Sequence, residues 1–242
     1  MYRALIHLNE QGRVVLPEDE LHHLVRVRRA REGDRFLGLD GKGKVYLCRL
    51  EQAREGWYGS VLEELKEHGA SALRVTLAQA LIKKNKFEWV LQKATEIGVS
   101  EIVPLITVRT ELRLSPEREE TRMKRWRKIL LEAVKQCGRP HVPELAHPIA
   151  LEEFLERAEA GLKLVLDEKG GCSLKELIQE NRQAISCLVI VGPEGGWDET
   201  DRLLFRKKEV PSVSLGARIL RAETAPVTIL SILQYELGDL SP

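Results

Sequence analysis

The feature that most constrains this chain is an alternation of two apolar patterns after residue 71. Short apolar runs of the kind found in buried strands occupy residues 73–80, 102–105, 162–166 and 187–191. Between them, apolar residues recur at helical spacing, as in Phe87, Val90 and Leu91 before Gly98, and a long helix is predicted at 118–136. Strands that alternate with helices predict a mostly parallel sheet covered by helices.

The first 70 residues have a different pattern, with short strand candidates, Gly-containing turns and one short helix. The strand candidates are residues 2–8, 13–16, 35–39, 44–50 and 57–65. A helix is predicted at 18–28, where the apolar residues share one face. The polar stretch 64–71 lacks an apolar period and is interpreted as a linker. The sequence therefore predicts a small β-rich domain at 1–70 and an α/β domain at 71–242.

Composition limits the classes of partner and location. A chain of 242 residues can bury a core without disulfides or metal. The four cysteines are scattered, without zinc-ligand spacing, so we predict reduced thiols and no metal site. The net charge is only +1, and any RNA-binding surface must therefore be local. The sequence has no signal peptide and no apolar run of membrane-spanning length, and the expected location is the cytoplasm.

Residues 215–226 form an unusual connection between a strand candidate at 210–215 and a helix pattern that follows it. Thr224 is a candidate N-cap, Pro226 suits a first helical turn, and Glu223 would lie favourably at the positive end of the helix dipole. Capping does not explain the apolar pair Ile219 and Leu220, because apolar residues in a loop need a surface to cover. A bound ligand would provide that surface.

A second connection of this kind follows the strand at 187–191 and contains Gly-Pro-Glu-Gly-Gly at 192–196. Glycines there would let backbone N–H groups approach a ligand closely. Neither connection matches a P-loop or a dinucleotide-binding glycine motif. Because ligands of open α/β sheets bind beyond the carboxyl ends of strands, we predict a ligand site at the connections 165–169, 192–197 and 215–222.

Gly-Pro-Glu-Gly-Gly at 192–196 and Leu-Gly-x-Arg-Ile-Leu-Arg-x-Glu-Thr-Ala at 215–225 together resemble the signature loops of a known family. That family is the bacterial ribosomal RNA small subunit methyltransferase E enzymes, which methylate N3 of a uridine in 16S ribosomal RNA. Lys-Ala-Thr-Glu-Ile-Gly at 93–98 and Gln-Cys-Gly-Arg at 136–139 extend the resemblance over nearly the whole chain. The chain departs from the family pattern at Trp197-Asp198, where we expect an aromatic residue followed by Ser, and at Thr110, where we expect Ser.

The resemblance implies a SPOUT-type α/β domain with a C-terminal trefoil knot, preceded by a small PUA-like β-barrel that binds RNA. It also implies S-adenosylmethionine as the cofactor, bound mostly through backbone groups and apolar contacts. The residues implied to bind the cofactor are Leu166, Gly192, Glu194, Gly195, Leu215, Gly216, Ile219, Leu220 and Ala225.

Two residues of the last loop are the catalytic candidates. Methyl transfer to uridine N3 requires the deprotonated base, whose negative charge spreads to O2 and O4. A positioned arginine would stabilise that anion, and Arg221 is the first candidate because it lies in the loop implied to bind the cofactor. Glu223 is expected to orient Arg221 or to act as general base, but a carboxylate that only stabilises the helix N-terminus is an equally good interpretation.

The residues expected to contact RNA are Arg26, Arg28, Arg29, Arg109, Gln136 and Arg139. The first three belong to a cluster in the β-rich domain, where contact with phosphate competes with the simpler interpretation of a solvated helix end. The last three are implied by the resemblance, either as RNA ligands at the active site or as residues that position Arg221. Without the resemblance, Gln136 and Arg139 would be an ordinary helix C-terminus.

The expected partners are small-subunit ribosomal RNA, within the small ribosomal subunit, and a second copy of the chain. A homodimer is expected because the helix pattern at 223–237 has more apolar residues than one buried face needs. Two alternative functions are considered. One is methylation of a ribose 2′-oxygen in RNA, and the other is a non-catalytic RNA-binding factor in ribosome assembly.

Overall fold

A computed structural model describes residues 1–10, 12–54, 56–65, 71–111 and 115–240. The chain divides into two compact units by its internal contacts. One unit comprises Met1–Ala70 and Leu131–Val142, and the other comprises Ser71–Leu130 and Pro143–Pro242. The N-terminal unit therefore contains a later segment, 131–142, which the division predicted from sequence places in the α/β domain. Within the described ranges, no helix is both long enough and apolar enough to cross a membrane.

The N-terminal unit is built on one curled six-stranded sheet, and the prediction of a small β-rich module is confirmed. Its strands are β1 (Tyr2–Leu5), β2 (His7–Leu8), β3 (Val14–Val15), β4 (Arg35–Leu39), β5 (Val45–Ala53) and β6 (Gly56–Leu65). They are ordered β1-β4-β5-β6-β3-β2, with β1 parallel to β4 and the other pairs antiparallel. Phe36, Cys48 and Leu50 lie in the core of this sheet, where alternate residues face inward.

The predicted helix at 18–28 is present but changes type along its length. It begins as α1 (Glu18–His22) and continues as a π-helical turn (His23–Val27). Arg28 N–H donates to the carbonyl oxygen of His23 and closes the wide turn. Arg29 follows in the left-handed region, with φ 56°.

Residues 131–142 complete the core of the N-terminal unit. Val134 packs against Leu39 and Val45 in a fully buried cluster. Backbone bonds join the same segment to the turn after β4, from Gly43 N–H to the Pro140 carbonyl and from Val142 N–H to the Gly41 carbonyl. Local sequence patterns do not reveal these contacts, because the contacts join positions about 100 residues apart.

The C-terminal unit contains the predicted parallel sheet covered by helices. Its strands are β7 (Arg74–Ala80), β8 (Glu101–Ile106), β9 (Glu144–Leu145), β10 (Ile149–Ala150), β11 (Leu162–Leu166), β12 (Ser186–Val191) and β13 (Ser212–Val213). The order is β10-β8-β7-β12-β11-β13, with β9 also paired to β8, and every pair is parallel. The two-residue strands β9 and β10 were not predicted because two residues show no periodicity.

Among the described residues, five helices connect these strands and a sixth follows β13. They are α2 (Lys84–Ile97), α3 (Pro116–Cys137), α4 (Leu151–Arg157), α5 (Leu174–Glu180), α6 (Glu199–Lys207) and α7 (Thr224–Glu236). The predicted end of α2 at Gly98 is confirmed, since Gly98 has φ 101° and its N–H donates to Thr95 and Ala94 carbonyls at the helix end. Of the predicted linker 64–71, residues 66–70 lie outside the described residues, and 64–65 belong to β6.

The prediction that Thr224 is the N-cap of α7 is wrong. Thr224 is the first helical residue, and Glu223 occupies the N-cap position with right-handed helical dihedrals, φ −83° and ψ −29°. Because the chain already follows a helical path there, the carbonyl of Arg221 accepts the N–H groups of Thr224 and Ala225. A backbone carbonyl thus satisfies the donors that a capping side chain would otherwise bind.

Candidate active site

A cavity of about 720 Å³ lies beyond the carboxyl ends of β11, β12 and β13. Strands β12, β11 and β13 are neighbours in the sheet, so the three connections that follow them meet at one edge. The lining comes from residues 166–170, 191–194, 196–197 and 213–222, with Lys86 and Ala225 added from α2 and α7. The three connections that the sequence selected as a ligand site are therefore brought together.

Eight of the nine predicted cofactor-binding residues line this cavity. They are Leu166, Gly192, Glu194, Leu215, Gly216, Ile219, Leu220 and Ala225. Gly195 does not line it, whereas the next residue, Gly196, does. The Gly195 carbonyl instead accepts a 2.8 Å hydrogen bond from Nη1 of Arg109, outside the cavity. The lining gives the geometry of a pocket, and the role of each residue in binding a cofactor stays a prediction.

Trp197 explains how the glycine-containing connection after β12 is held. Its buried indole Nε1 donates to the Leu166 carbonyl at 2.7 Å, and its ring packs edge-on against Phe205 at 4.8 Å between centroids. A Cβ at Gly192 would lie 3.1 Å from the Trp197 ring, so glycine lets the chain pass close to the indole. Trp197 thus fastens the loop after β12 to the end of β11.

The adjacent Asp198 begins α6. Its carboxylate accepts from Thr200 N–H, while the Asp201 carboxylate accepts from Asp198 N–H, in a reciprocal capping arrangement. The helix α6 therefore begins at Glu199, and its capping residue is Asp198.

A buried ion pair between Asp167 and Arg202 supports the same wall of the cavity. Arg202 Nε lies 2.7 Å from Asp167 Oδ2 and Nη2 lies 3.1 Å from Oδ1, while Nη1 donates to the Trp197 carbonyl at 2.7 Å. Burial raises the pKa of Asp167, but the Arg202 guanidinium and the Lys169 N–H together hold that pKa below its usual value. Sequence reasoning missed this pair, since 35 residues separate its members.

The connection after β13 exposes two of its side chains, those of Ile219 and Arg221. Ile219 is 81% exposed although it is apolar, and Arg221 is exposed at the cavity. Within the described part of the chain, the Arg221 guanidinium makes no hydrogen bond and no ion pair. Gly216 has φ 103°, a conformation that side chains other than glycine rarely adopt. This connection is therefore shaped to meet something other than the rest of the chain.

Glu223 lies behind this connection, outside the cavity lining, and forms an ion pair with Lys86. The distance from Lys86 Nζ to Glu223 Oε2 is 3.1 Å, and Lys86 Nζ also lies 3.7 Å from Glu194 Oε1. Burial raises the pKa of Glu223, but its own backbone N–H and the charges of Lys86 and Arg221 hold that pKa below the usual value. Sequence reasoning missed Lys86, because Lys83, Lys84 and Lys86 all stand at the start of α2 and the sequence does not distinguish one from another.

The structure places the predicted RNA contacts in different surroundings. Arg26, Arg28 and Arg29 are exposed in the N-terminal unit, and Arg28 lies over the Tyr2 ring at 5.9 Å. In the C-terminal unit, Arg109 holds the Gly195 carbonyl and lies 3.4 Å from the Asp198 carboxylate. These placements leave their contact with RNA a prediction.

Gln136 lies in the last turn of α3 and Arg139 lies two residues beyond its end, and both belong to the N-terminal unit. Gln136 is exposed, and its backbone carbonyl accepts a 2.7 Å hydrogen bond from Nη1 of Arg3. Arg139 is partly buried. Their predicted roles, in binding RNA or in positioning Arg221, also stay predictions.

Comparison with known proteins matches most of the chain to the family that its sequence motifs resemble. The profile of the RNA methyltransferase domain matches residues 69–234, and that of the RNA methyltransferase PUA domain matches residues 16–56. The ribosomal RNA small subunit methyltransferase E of Synechocystis is 34% identical over 224 residues, which are 91% of this chain and 72% of the relative. That of Aquifex aeolicus is 32% identical over 225 residues, covering 91% of this chain and 93% of the relative.

Two solved structures are similar to this chain over nearly its whole length. The ribosomal RNA small subunit methyltransferase E of Neisseria gonorrhoeae, bound to S-adenosylmethionine, has 31% identity and a TM-score of 0.89, with all of both chains covered. A methyltransferase of Legionella pneumophila in complex with S-adenosylmethionine has 31% identity and a TM-score of 0.90, with 99% of both chains covered. With these relatives and the matched domain over two thirds of its length, the chain belongs to the family of ribosomal RNA small subunit methyltransferase E.

Proposed function

We propose that this protein transfers a methyl group from S-adenosylmethionine to N3 of a uridine in small-subunit ribosomal RNA. The observation that carries the proposal is the cavity beyond β11, β12 and β13, which is lined by the two loops with the family's signature sequences. Relatives that cover nearly the whole chain carry the name of ribosomal RNA small subunit methyltransferases, and two similar structures hold S-adenosylmethionine.

The residues of the cavity fit this cofactor. A volume of about 720 Å³ is within the range of small-molecule sites, and the lining combines apolar side chains with backbone groups. Gly192 brings the backbone of one loop close to the cavity, and Leu166, Leu215 and Leu220 offer apolar contact. Ile219, which is exposed to solvent in the free chain, would be covered by a bound molecule. All nine residues expected from the sequence, including Gly195, are proposed as the cofactor site.

The cofactor, when bound, supplies a methyl group already activated by a sulfonium. The chain must then hold the uracil in line, exclude water and favour loss of the N3 proton. We assign stabilisation of the resulting negative charge on O2 and O4 to Arg221, whose guanidinium is free to bind a substrate. Glu223 either orients Arg221 or accepts the N3 proton, and the proton leaves to solvent after transfer.

The finer features of the fold are part of the same proposal. We propose a SPOUT-type methyltransferase domain at 71–242 with a C-terminal trefoil knot, and a PUA-like RNA-binding domain at 1–70. RNA would be contacted by Arg26, Arg28, Arg29, Arg109, Gln136 and Arg139. The substrate would be the small ribosomal subunit, or its RNA, in the cytoplasm.

A homodimer through α7 completes the proposal. Tyr235 is 60% exposed on this helix and Leu240 just beyond it is 49% exposed, while Ile232 is only partly buried. An apolar surface of this kind is usual where two copies of a chain pack together.

The test uses labelled S-adenosylmethionine with small subunits and with naked small-subunit RNA, both from cells that lack the protein. Mass spectrometry of the digested RNA is expected to find labelled N3-methyluridine. Label on a ribose 2′-oxygen would replace the proposed reaction by the first alternative. Failure to bind S-adenosylmethionine in calorimetry would favour the non-catalytic assembly factor.

Arg221→Gln tests the catalytic assignment in the same assay. We expect a loss of about 100-fold or more in the rate of transfer, the usual cost of removing one group that stabilises a developing anion. Arg206→Gln is the control, because Arg206 is an exposed residue of α6 that pairs with Glu199 away from the cavity. Equal rates for the two variants would remove Arg221 from the mechanism.

A further inference from the structure

Lys86 occupies a position that is unfavourable for its charge. It is the third residue of α2, within the first turn, where the helix dipole and free N–H groups repel a cation. Its side chain is nevertheless about two thirds buried, at 34% exposure, and lines the cavity. Burial of a lysine at the positive end of a helix has a cost, so other interactions must hold it there.

Two carboxylates hold Lys86, and they come from two different connections. Glu194 belongs to the loop after β12, and Glu223 precedes α7 in the loop after β13. The Glu194 Oε1 atom also accepts a hydrogen bond of 3.3 Å from the backbone N–H of Lys83. The start of α2 therefore binds Glu194 through its backbone and through Lys86, while Lys86 alone reaches Glu223.

The Glu223 carboxylate depends on this contact. Its Oε2 atom is buried and, among the described residues, has no hydrogen bond of suitable geometry, so the ion pair at 3.1 Å is its main protein partner. The charged groups that face Glu223 are Lys86 from α2 and Arg221 from its own loop, with Glu194 on the other side of Lys86. Removal of the ammonium would leave a partly buried carboxylate beside a second carboxylate.

We infer that Lys86 is a positioning residue of the active site, which joins the loops after β12 and β13 and orients the Glu223 carboxylate. The inference rests on the proposed function, in which Glu223 orients Arg221 or accepts the uridine proton. The order of action is therefore from Lys86 to Glu223, and from Glu223 either to Arg221 or to the uridine proton. Lys86 does not need to touch the substrate.

The pH dependence of the variants separates positioning from a purely structural role. Burial raises the pKa of Glu223, and Lys86 is one of the groups that lower it. Without Lys86 the burial remains and the lowering contact is lost, so the pKa of Glu223 should rise. The reaction needs the ionised carboxylate, and the acid limb of its pH–rate profile should therefore move to higher pH.

Lys86→Met is the main variant and Lys84→Met is its control. Lys84 is exposed and lies in the same helical turn, so both variants lose one positive charge from the start of α2. We expect Lys86→Met to lower kcat at least tenfold and to move the acid limb upward. Lys84→Met should stay within twofold of the unsubstituted protein in kcat, with its acid limb unmoved. Lys86→Arg should restore part of the rate, because a guanidinium can also bind two carboxylates.

A second measurement does not depend on catalysis. The carboxyl carbon of Glu223 can be followed by NMR as pH changes, with its signal assigned by its absence from Glu223→Gln. Its titration should move to higher pH in Lys86→Met but not in Lys84→Met, and Lys86→Gln serves if the methionine variant does not fold. An unmoved titration, or a kcat of Lys86→Met within twofold of the unsubstituted protein, would overturn the inference. Failure of the unsubstituted protein to methylate RNA would instead overturn the proposed function and leave the titration as the deciding result.

Discussion

At the scale of single residues, the cavity depends on a few pairs that lie far apart in sequence. The connections that contain Gly192 and Ile219 could be selected from the sequence, because loop glycines and apolar loop residues are unusual, whereas Leu166, at the end of β11, followed only from the family resemblance. It did not identify Lys86 or the partner of Asp167, since an ordinary lysine or aspartate gives no sign of which residue it will meet. Which side chains meet depends on the order of the strands in the sheet, and local sequence patterns do not encode that order.

The first prediction concerns the Asp167–Arg202 pair. Arg202→Met should lower the free energy of unfolding by about 3 kcal/mol, because Asp167 would stay buried without its partner. Arg202→Met combined with Asp167→Asn should recover part of that loss. Arg206→Met is the control, since its pair with Glu199 is exposed and should matter little. Urea unfolding measures all four proteins, and an Arg202→Met protein as stable as the Arg206→Met protein would refute the prediction.

The second prediction follows from the pKa of the same aspartate. Because the folded pKa of Asp167 is below its usual value of about 3.9, the pair stabilises the protein fully above that pH. The stabilisation is lost as the pH falls through the folded pKa. The difference in unfolding free energy between the unsubstituted protein and Asp167→Asn should therefore be constant near neutral pH and shrink below about pH 4. Urea unfolding of both proteins at several pH values tests this, and a constant difference throughout would contradict it.

At the scale of elements, the helices and longer strands could be predicted from periodicity and the ends of some helices from glycine. The start of α7 could not, because the Arg221 carbonyl, rather than a side chain, satisfies its first N–H groups. The buried contact between α2 and α7 was equally invisible. There Gln234 is fully buried and hydrogen-bonds through its side chain to the Ser71 hydroxyl and the Gly98 carbonyl.

The third prediction tests that contact. A Cβ at Gly98 would lie 2.8 Å from Gln234 Nε2, whereas a Cβ at Gly170 would meet nothing within 4 Å. The two glycines have similar φ values, 101° and 95°, so replacement by alanine strains both backbones alike. Gly98→Ala should therefore lower the unfolding free energy by about 1–3 kcal/mol more than Gly170→Ala does. Thermal or urea unfolding gives the comparison, and equal losses would mean that Gln234 moves aside freely.

At the scale of the whole molecule, the fourth prediction concerns the proposed homodimer. Tyr235→Arg places a charge on the exposed side of α7 and should convert a dimer into a monomer in sedimentation velocity experiments. Leu203→Arg is the control, because Leu203 is similarly exposed at 56% but lies on α6. Monomeric sedimentation of the unsubstituted protein, or a dimer that persists in Tyr235→Arg, would argue against packing through α7.

The last prediction concerns the arginines of the N-terminal unit. The double variant Arg26→Gln and Arg29→Gln should bind small-subunit RNA more weakly and should reduce the slope of log affinity against log salt by about 2, roughly one for each lost phosphate contact. Arg157→Gln removes an exposed arginine that pairs with Glu153 on α4 and is the control. Filter binding at several salt concentrations measures the slopes. Identical slopes for both variants would support the simpler interpretation of a solvated helix end.

The segment 131–142, which completes the core of the N-terminal unit, affects how this chain folds during its synthesis. A nascent chain that has reached the end of β6 still lacks Val134, and Leu39 and Val45 have no partner from α3. At about 5–20 residues per second, the ribosome needs several seconds more to deliver that segment. The first strands to be translated therefore belong to a unit that is finished only after the second unit has begun to emerge.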